Sequence, residues 1–195
     1  RSGRARPGIE ALFEVAGKDH RLATASDLGF IVGPRLNAAG RLDDMSVGIE
    51  CLLADSTASA RAKAENLHAL NRERRDIEQS MQTEALAQLD ALNLDQPDLP
   101  FAMTLYDPNW HQGVIGILAS RIRERVYRPT LIFADSDEGM LKASGRSIPG
   151  LHLRDALDQV AARHPGLLTK FGGHAMAAGL TPVSYTHLTL PTKWS

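Results

Sequence analysis

Three glycine-punctuated loops in this chain each carry Arg or His: Gly33-Pro34-Arg35-Leu36-Asn37-Ala38-Ala39-Gly40-Arg41, Lys142-Ala143-Ser144-Gly145-Arg146-Ser147 and Phe171-Gly172-Gly173-His174. Glycine lets a backbone come close to a ligand, and Arg and His offer donors whose geometry suits phosphate oxygens. A fourth segment, Trp110-His111-Gln112-Gly113, stands before an apolar run, where the start of a helix would present free N–H groups to an anion. Each has an ordinary structural reading when taken singly: Gly-Gly-His as a turn with a surface histidine, Gly-Pro-Arg as a turn. Four together point to a phosphodiester substrate.

The elements that must hold these segments can be read from periodicity. Pro7 followed by Ile9, Leu12, Phe13 and Ala16 predicts a short amphipathic helix stopped by Gly17. A second helix is predicted from near Ser26 through Leu28, Phe30, Ile31 and Val32, with Gly33-Pro34 breaking the run before Arg35. Residues 47–53 predict a further helical turn or two. Residues 56–92 hold no Pro or Gly and are rich in good helix formers, which predicts one helix of roughly 50 Å. Its apolar stripe of Leu67, Leu70, Ile77 and Met81 is interrupted by Arg74 and too short for a coiled coil, so it reads as a connector between two domains. After a polar break at residues 93–100 the pattern becomes α/β, with strands predicted at 101–106, 130–134 and 140–148. Helices are predicted at 114–126 and 153–162, with a short one at 175–178.

Alternation within the second segment points Lys142, Ser144 and Arg146 to one side of a strand. Two cations and a hydroxyl in one row suit a phosphate track, and equally suit a solvent-facing edge strand kept polar against aggregation. Trp110 reads as a plug at the edge of the core. His111 either faces a ligand at the positive end of the following helix or bonds locally. Arg121, Arg125 and Arg128 are split by spacing from Arg123 and diluted by Glu124, a solvated helix face by default. Asn37 could cap a helix and Arg41 could pair with Asp43 or Asp44. Those two adjacent acids would point apart on regular structure, so they are not read as metal ligands.

Lys and Arg number 22 against 23 Asp and Glu, so the molecule is not basic as a whole and a nucleic-acid footprint must be a local cluster. The single cysteine, Cys51, lies in an apolar run and cannot form an internal disulfide, which suggests a buried thiol in a reducing, cytoplasmic compartment. No stretch is long and apolar enough to cross a membrane as a helix. The chain opens at Arg1 in a Gly- and Arg-rich stretch that reads as internal to a longer polypeptide.

The wording and order of the motifs resemble the RecJ family of single-strand-specific exonucleases, within the DHH phosphoesterase superfamily. The resemblance covers residues 1 to about 182. It rests on Asp27-Leu28-Gly29-Phe30 running into residues 33–44, on Trp110-His111-Gln112-Gly113-Val114-Ile115-Gly116-Ile117-Leu118-Ala119-Ser120-Arg121, and on Phe171-Gly172-Gly173-His174-Ala175-Met176-Ala177-Ala178-Gly179. It implies an α/β architecture: the end of a DHH catalytic domain at residues 1–55, a long connecting helix at 56–95, and a smaller α/β DHH-associated substrate domain at 96–182. Residues 183–195 depart from the family pattern and read as a foreign tail, whose loss of a strand would leave the sheet one member short.

The implied activity is 5′→3′ degradation of single-stranded DNA to mononucleotides in recombination and repair. By the same resemblance His174 contacts the scissile or an adjacent phosphate. Arg35, Asn37 and Arg41 would line the cleft, and His111, Lys142, Ser144, Arg146, Ser147, Gly172 and Gly173 the nucleic-acid path. The family's Mn²⁺ or Mg²⁺ ions need Asp and His ligands, yet neither Asp-His-His nor Asp-x-Asp-x-x-Gly occurs here. The resemblance implies that those ligands lie in the N-terminal part of the DHH domain, upstream of Arg1, and this chain alone is expected to be inactive. Single-stranded DNA, a helicase and a single-strand-binding protein are the implied partners, with a monomer at full length and no membrane. The alternatives are a phosphodiesterase acting on cyclic dinucleotides or short oligoribonucleotides, which shares Gly-Gly-His, and a non-catalytic nucleic-acid-binding relative. An alanyl-tRNA editing relative is disfavoured, because the long helix and residues 33–41 would have no place in it.

Overall fold

The computed structural model describes residues 5–91, 100–136 and 140–182. The chain divides into two compact units, Arg1–Ile77 and Glu78–Ser195. The polar break expected at residues 93–100 lies outside the described residues apart from Pro100, and so does the tail at 183–195.

The first unit is helical: α1 (Pro7–Glu14), α2 (Ala25–Asp27), α3 (Gly33–Leu42), α4 (Ser46–Leu53) and the first part of α5 (Thr57–Ala91). Leu12 and Phe13 of α1 are sealed among Val32, Ala39, Cys51, Ala60, Ala64 and Leu67. Burying side chains of that size contributes about 1.5–3 kcal/mol each. The Cys51 thiol is buried as expected, and burial pushes its pKa up.

Gly33-Pro34 does not break the chain here. The helix starts at Ala25 under a Thr24–Asp27 capping box, widens into a π turn over Leu28–Val32, and runs on as α3. Pro34 has no N–H and crowds the turn behind it, and the π turn absorbs this by bonding Gly33 N–H to the Leu28 carbonyl. The stretch from Gly33 to Arg41 is therefore a helix rather than a glycine loop, with Pro34 in its first turn.

Helices α1 and α4 pack closely because Gly8 has no side chain, and a Cβ there would overlap the Cys51 carbonyl and crowd Leu52. Alanine is worth about 1 kcal/mol over glycine in an open helix. Gly8→Ala is nonetheless expected to destabilise by about 2 kcal/mol through overpacking against backbone. A urea midpoint that stays or rises would show that the two helices part without cost.

The second unit is a five-stranded sheet in the order β1-β2-β3-β5-β4, with β1 (Met103–Tyr106), β2 (Thr130–Asp135), β3 (Leu141–Arg146), β4 (Leu168–Gly173) and β5 (Ala177–Pro182). β1 and β2 are parallel, joined by the crossover helix α6 (Ile115–Val126); all other pairings are antiparallel. α7 (Leu153–Arg163) packs on β4 and β5, its Leu153 and Leu157 closing a core with Ala143, Ala178 and Leu180. The helix expected at residues 175–178 is absent. Those residues form the turn and first part of β5, opposite a strand β4 that periodicity did not reveal. Alanine-rich composition favours a helix locally, but hairpin pairing overrides that small preference.

Candidate nucleic-acid interface

β3 lies between β2 and β5, so it is a central strand, and the edge-strand reading of its polar row fails. Leu141, Ala143 and Gly145 are buried on one face, while Lys142, Ser144 and Arg146 alternate onto the other. Gly145 makes room for helix packing rather than for a ligand: a Cβ there would come within 2.8 Å of Leu153.

The start of α6 is built to lie against the polar row. Asp107 accepts from the Asn109 N–H at 2.8 Å and sets the turn, and Trp110 is buried, its indole N–H donating to Glu84 of α5 at 2.8 Å. His111 Nδ1 accepts from the Gly113 N–H at 3.1 Å, which places the ring proton of the neutral imidazole on Nε2. His111 bonds locally through Nδ1, which leaves Nε2 for either of its two readings, and the residue is half-buried.

Lys142 Nζ donates to Gln112 Oε1 at 3.0 Å. Arg146 spreads its guanidinium over neutral oxygens: Nε donates to Ser120 Oγ at 3.1 Å, and Nη1 to Ser144 Oγ at 3.0 Å and to the Gly145 carbonyl at 2.8 Å. A Cβ on Gly116 would stand 3.0 Å from Arg146 Nη2 and 3.1 Å from Ser144 Oγ, so this helix position has to be small. Gln112, Gly116 and Ser120 were missed as part of the site. Their signal was available, because Gly116 and Ser120 are one helical turn apart and share a face.

The Gly-Gly-His segment closes the far end of the row. Arg146 pairs with Ala177 across β3 and β5, and the His174 N–H donates to the Ala177 carbonyl at 2.8 Å. This fixes the β4–β5 turn beside Arg146 and leaves His174 exposed. Gly173 has φ +153°, and a Cβ there would collide with Ala177 and Ala178. Gly172 pairs with Gly179, which pairs with Ser144, so both glycines share the face of the polar row, and both are exposed. Ser147 is not in the row: it is buried, and its hydroxyl donates to the Leu151 carbonyl at 2.8 Å.

The remaining candidates belong to the first unit. Arg35 of α3 is 8% exposed, donating to His68 Nδ1 at 3.2 Å and to the Ile31 carbonyl at 2.7 Å. Asn37 and Arg41, four residues apart, stand exposed on α3, so Asn37 is inside a helix and caps nothing. Asp44 accepts from the Ser46 N–H and hydroxyl, both at 2.9 Å, which holds its pKa below the usual carboxylate value. Among the described residues no three His, Cys, Asp or Glu side chains converge as a metal site. The donor set described here does not fit a two-metal centre.

The central strand with its cationic row, the small-residue helix against it and the Gly-Gly-His hairpin at its end all lie within residues 99–184, which match the DHHA1 domain family. The whole span is informative beyond that domain. The chain is 58% identical over 183 residues to the single-stranded-DNA-specific exonuclease RecJ of Dickeya dadantii, covering 94% of this chain and 32% of that protein. With RecJ of Escherichia coli it shares 58% over 181 residues, 93% of this chain and 31% of that protein. The crystal structure of Thermus thermophilus RecJ in complex with Mg²⁺ superposes with a TM-score of 0.74 at 34% identity, covering 91% of this chain and 26% of that one. The chain is similar over nearly all of its length to RecJ proteins, and it spans about a third of the length of the curated relatives it matches.

Proposed function

We propose that this chain is part of a metal-dependent 5′→3′ exonuclease that degrades single-stranded DNA in recombination and repair, and that it contributes phosphate positioning. The observation that supports this most is the row of Lys142, Ser144 and Arg146 on a central strand, with His174 held beside it by the Ala177 bond. Lys142 has no carboxylate within ion-pair distance among the described residues, so its charge is available to an anion. Arg146 is oriented by the oxygens of Ser120, Ser144 and Gly145, which hold its planar guanidinium over the row. A phosphate approaching over exposed Gly172 and Gly179 would meet Arg146 and the His174 imidazole together. His111, with its proton on Nε2, stands as a donor beside Gln112 at the Lys142 end.

RecJ structures have been solved with Mg²⁺ and with Mn²⁺, and the same requirement is proposed for the whole protein here, with its ligands outside the described residues. The metal ions would activate water and stabilise the leaving oxygen; the residues of this chain bind and orient the strand. Asn37 and Arg41 are proposed to contact the same substrate, and buried Arg35 to act on it through His68. The domain division at residues 55 and 95, the cytoplasmic compartment, the monomeric state, and a helicase and single-strand-binding protein as partners complete the reading.

The test is titration of the chain with a single-stranded oligonucleotide and with its duplex across a salt series. Preferential, salt-sensitive single-strand binding is expected, weakened by His174→Ala, with no hydrolysis under Mn²⁺. Equal affinity for both forms, or indifference to His174→Ala in a folded protein, would overturn it.

A further inference from the structure

The first unit holds four basic side chains together that neither the fold nor the polar row explains. Arg35 is more than nine-tenths buried, and no carboxylate lies within ion-pair distance of it among the described residues. Burying a guanidinium without an anion is costly, since desolvation is offset only by the neutral His68 nitrogen and one carbonyl. His68 accepts from Arg35 through Nδ1, so its remaining ring proton sits on Nε2, available as a donor. Arg72 and Arg75 follow at four and seven residues along α5, which brings them onto the face of His68. Both are exposed, and neither makes an ion pair among the described residues. Their proximity is felt electrostatically: Arg75 helps burial to lower the Arg35 pKa, and burial, Arg35, Arg72 and Arg75 together lower that of His68. Glu73 and Asp76 share the helix without closing a pair with either arginine. Elsewhere in this unit Arg61 pairs with Glu14 and Glu65, and half-buried Lys63 with Glu50.

We propose that His68, Arg72 and Arg75 of α5, with Arg35 as their floor, form a phosphate-binding subsite for the backbone of a single-stranded nucleic acid. The proposal rests on the single-strand reading above, and adds three residues of α5 that the motifs do not mark to the Arg35 that they do. A phosphate there would accept from the two arginines and from His68 Nε2, and would supply the negative charge that buried Arg35 lacks. Arg35 acts through His68 as a positioning residue.

Two ligands separate a general phosphate site from a strand-binding one. The His68 ring is followed by NMR in the full chain as inorganic pyrophosphate or a short oligothymidylate is added, in the parent and in Arg72→Ala/Arg75→Ala. Both ligands are expected to raise the His68 titration midpoint in the parent and to leave it unmoved in the double variant. A ring that ignores both ligands, or responds equally without the two arginines, overturns the proposal. In strand binding the double variant is expected to lose about tenfold in affinity and about 1.4 in the salt slope, from two contacts at about 0.7 each. Unchanged strand binding in this variant, alongside weakened binding in Lys142→Ala/Arg146→Ala, sinks the subsite and leaves the β3 row standing. A His68 response to pyrophosphate that requires the arginines, with no effect of the β3 variant on the strand, does the reverse. Arg72→Gln/Arg75→Gln, with its helical circular dichroism intact, guards against a folding artefact.

Discussion

Gly173→Ala is expected to destabilise the second unit by about 3 kcal/mol, lowering its melting temperature by roughly 10–20 °C. Two independent costs combine. At φ +153° the backbone is in a region open essentially to glycine alone, which costs an L-residue about 1–3 kcal/mol. The new methyl would also collide with the Ala177 carbonyl and with Ala178, the residue paired with Gly173 across the hairpin. Neither neighbour can retreat easily, because the Ala177 carbonyl accepts from His174 while Ala175 and Met176 carbonyls hold Leu153 and Ser147. The turn that places His174 would open before the sheet gave way. Calorimetry reads the stability, and the His174 ring shift reads the local displacement. A variant that melts with the parent would show that the hairpin relaxes at no cost, and the fixed position assigned to His174 would fall with it.

Much of the second unit was legible because its signals are local. The alternation of Lys142, Ser144 and Arg146 survives in β3, and α6 and α7 fall within a residue or two of their apolar periodicity. One error arose where a strand partner decides the outcome. Ala175 to Ala178 reads as helical until it is paired with β4; the other error is local, since Gly33-Pro34 reads as a break and a π turn five residues long absorbs the proline. On α5 the expected stripe of Leu and Ile was only half the answer: Ala60 and Ala64 are fully buried beside Leu67, and Ala85 and Leu89 beside Met81. Alanine marks such close packing poorly in a sequence, since it is also the commonest filler of an exposed helix. At the site, the types and spacing of the cations were visible, but their partners were not. That Arg146 leans on Ser120, and that Arg35 is buried against His68, depends on separations of 26 and 33 residues.

Arg146→Ala is expected to weaken single-strand binding about tenfold while costing about 1–2 kcal/mol in stability. The two effects have different origins and separate cleanly. Stability falls because Ser120 Oγ, Ser144 Oγ and the Gly145 carbonyl lose a common donor in a half-buried position. Binding falls because the cation of the β3 row that stands at the strand position paired with Ala177, next to the His174 turn, is gone. Arg146→Lys distinguishes charge from shape. A lysine ammonium keeps the charge but lacks the planar fork that reaches Ser120 and Ser144 at once, so it would restore little of the geometry. The Lys variant is therefore expected to retain most of the salt sensitivity yet bind several-fold more weakly than the parent. Gly116→Val supplies a check that leaves the charge untouched, since a side chain there is driven into Arg146 Nη2 and Ser144 Oγ. If Gly116→Val binds as the parent does while Arg146→Ala is weak, charge alone governs the row. If all three variants bind normally in folded protein, the strand does not pass over β3, and the row is a structural brace between the sheet and α6.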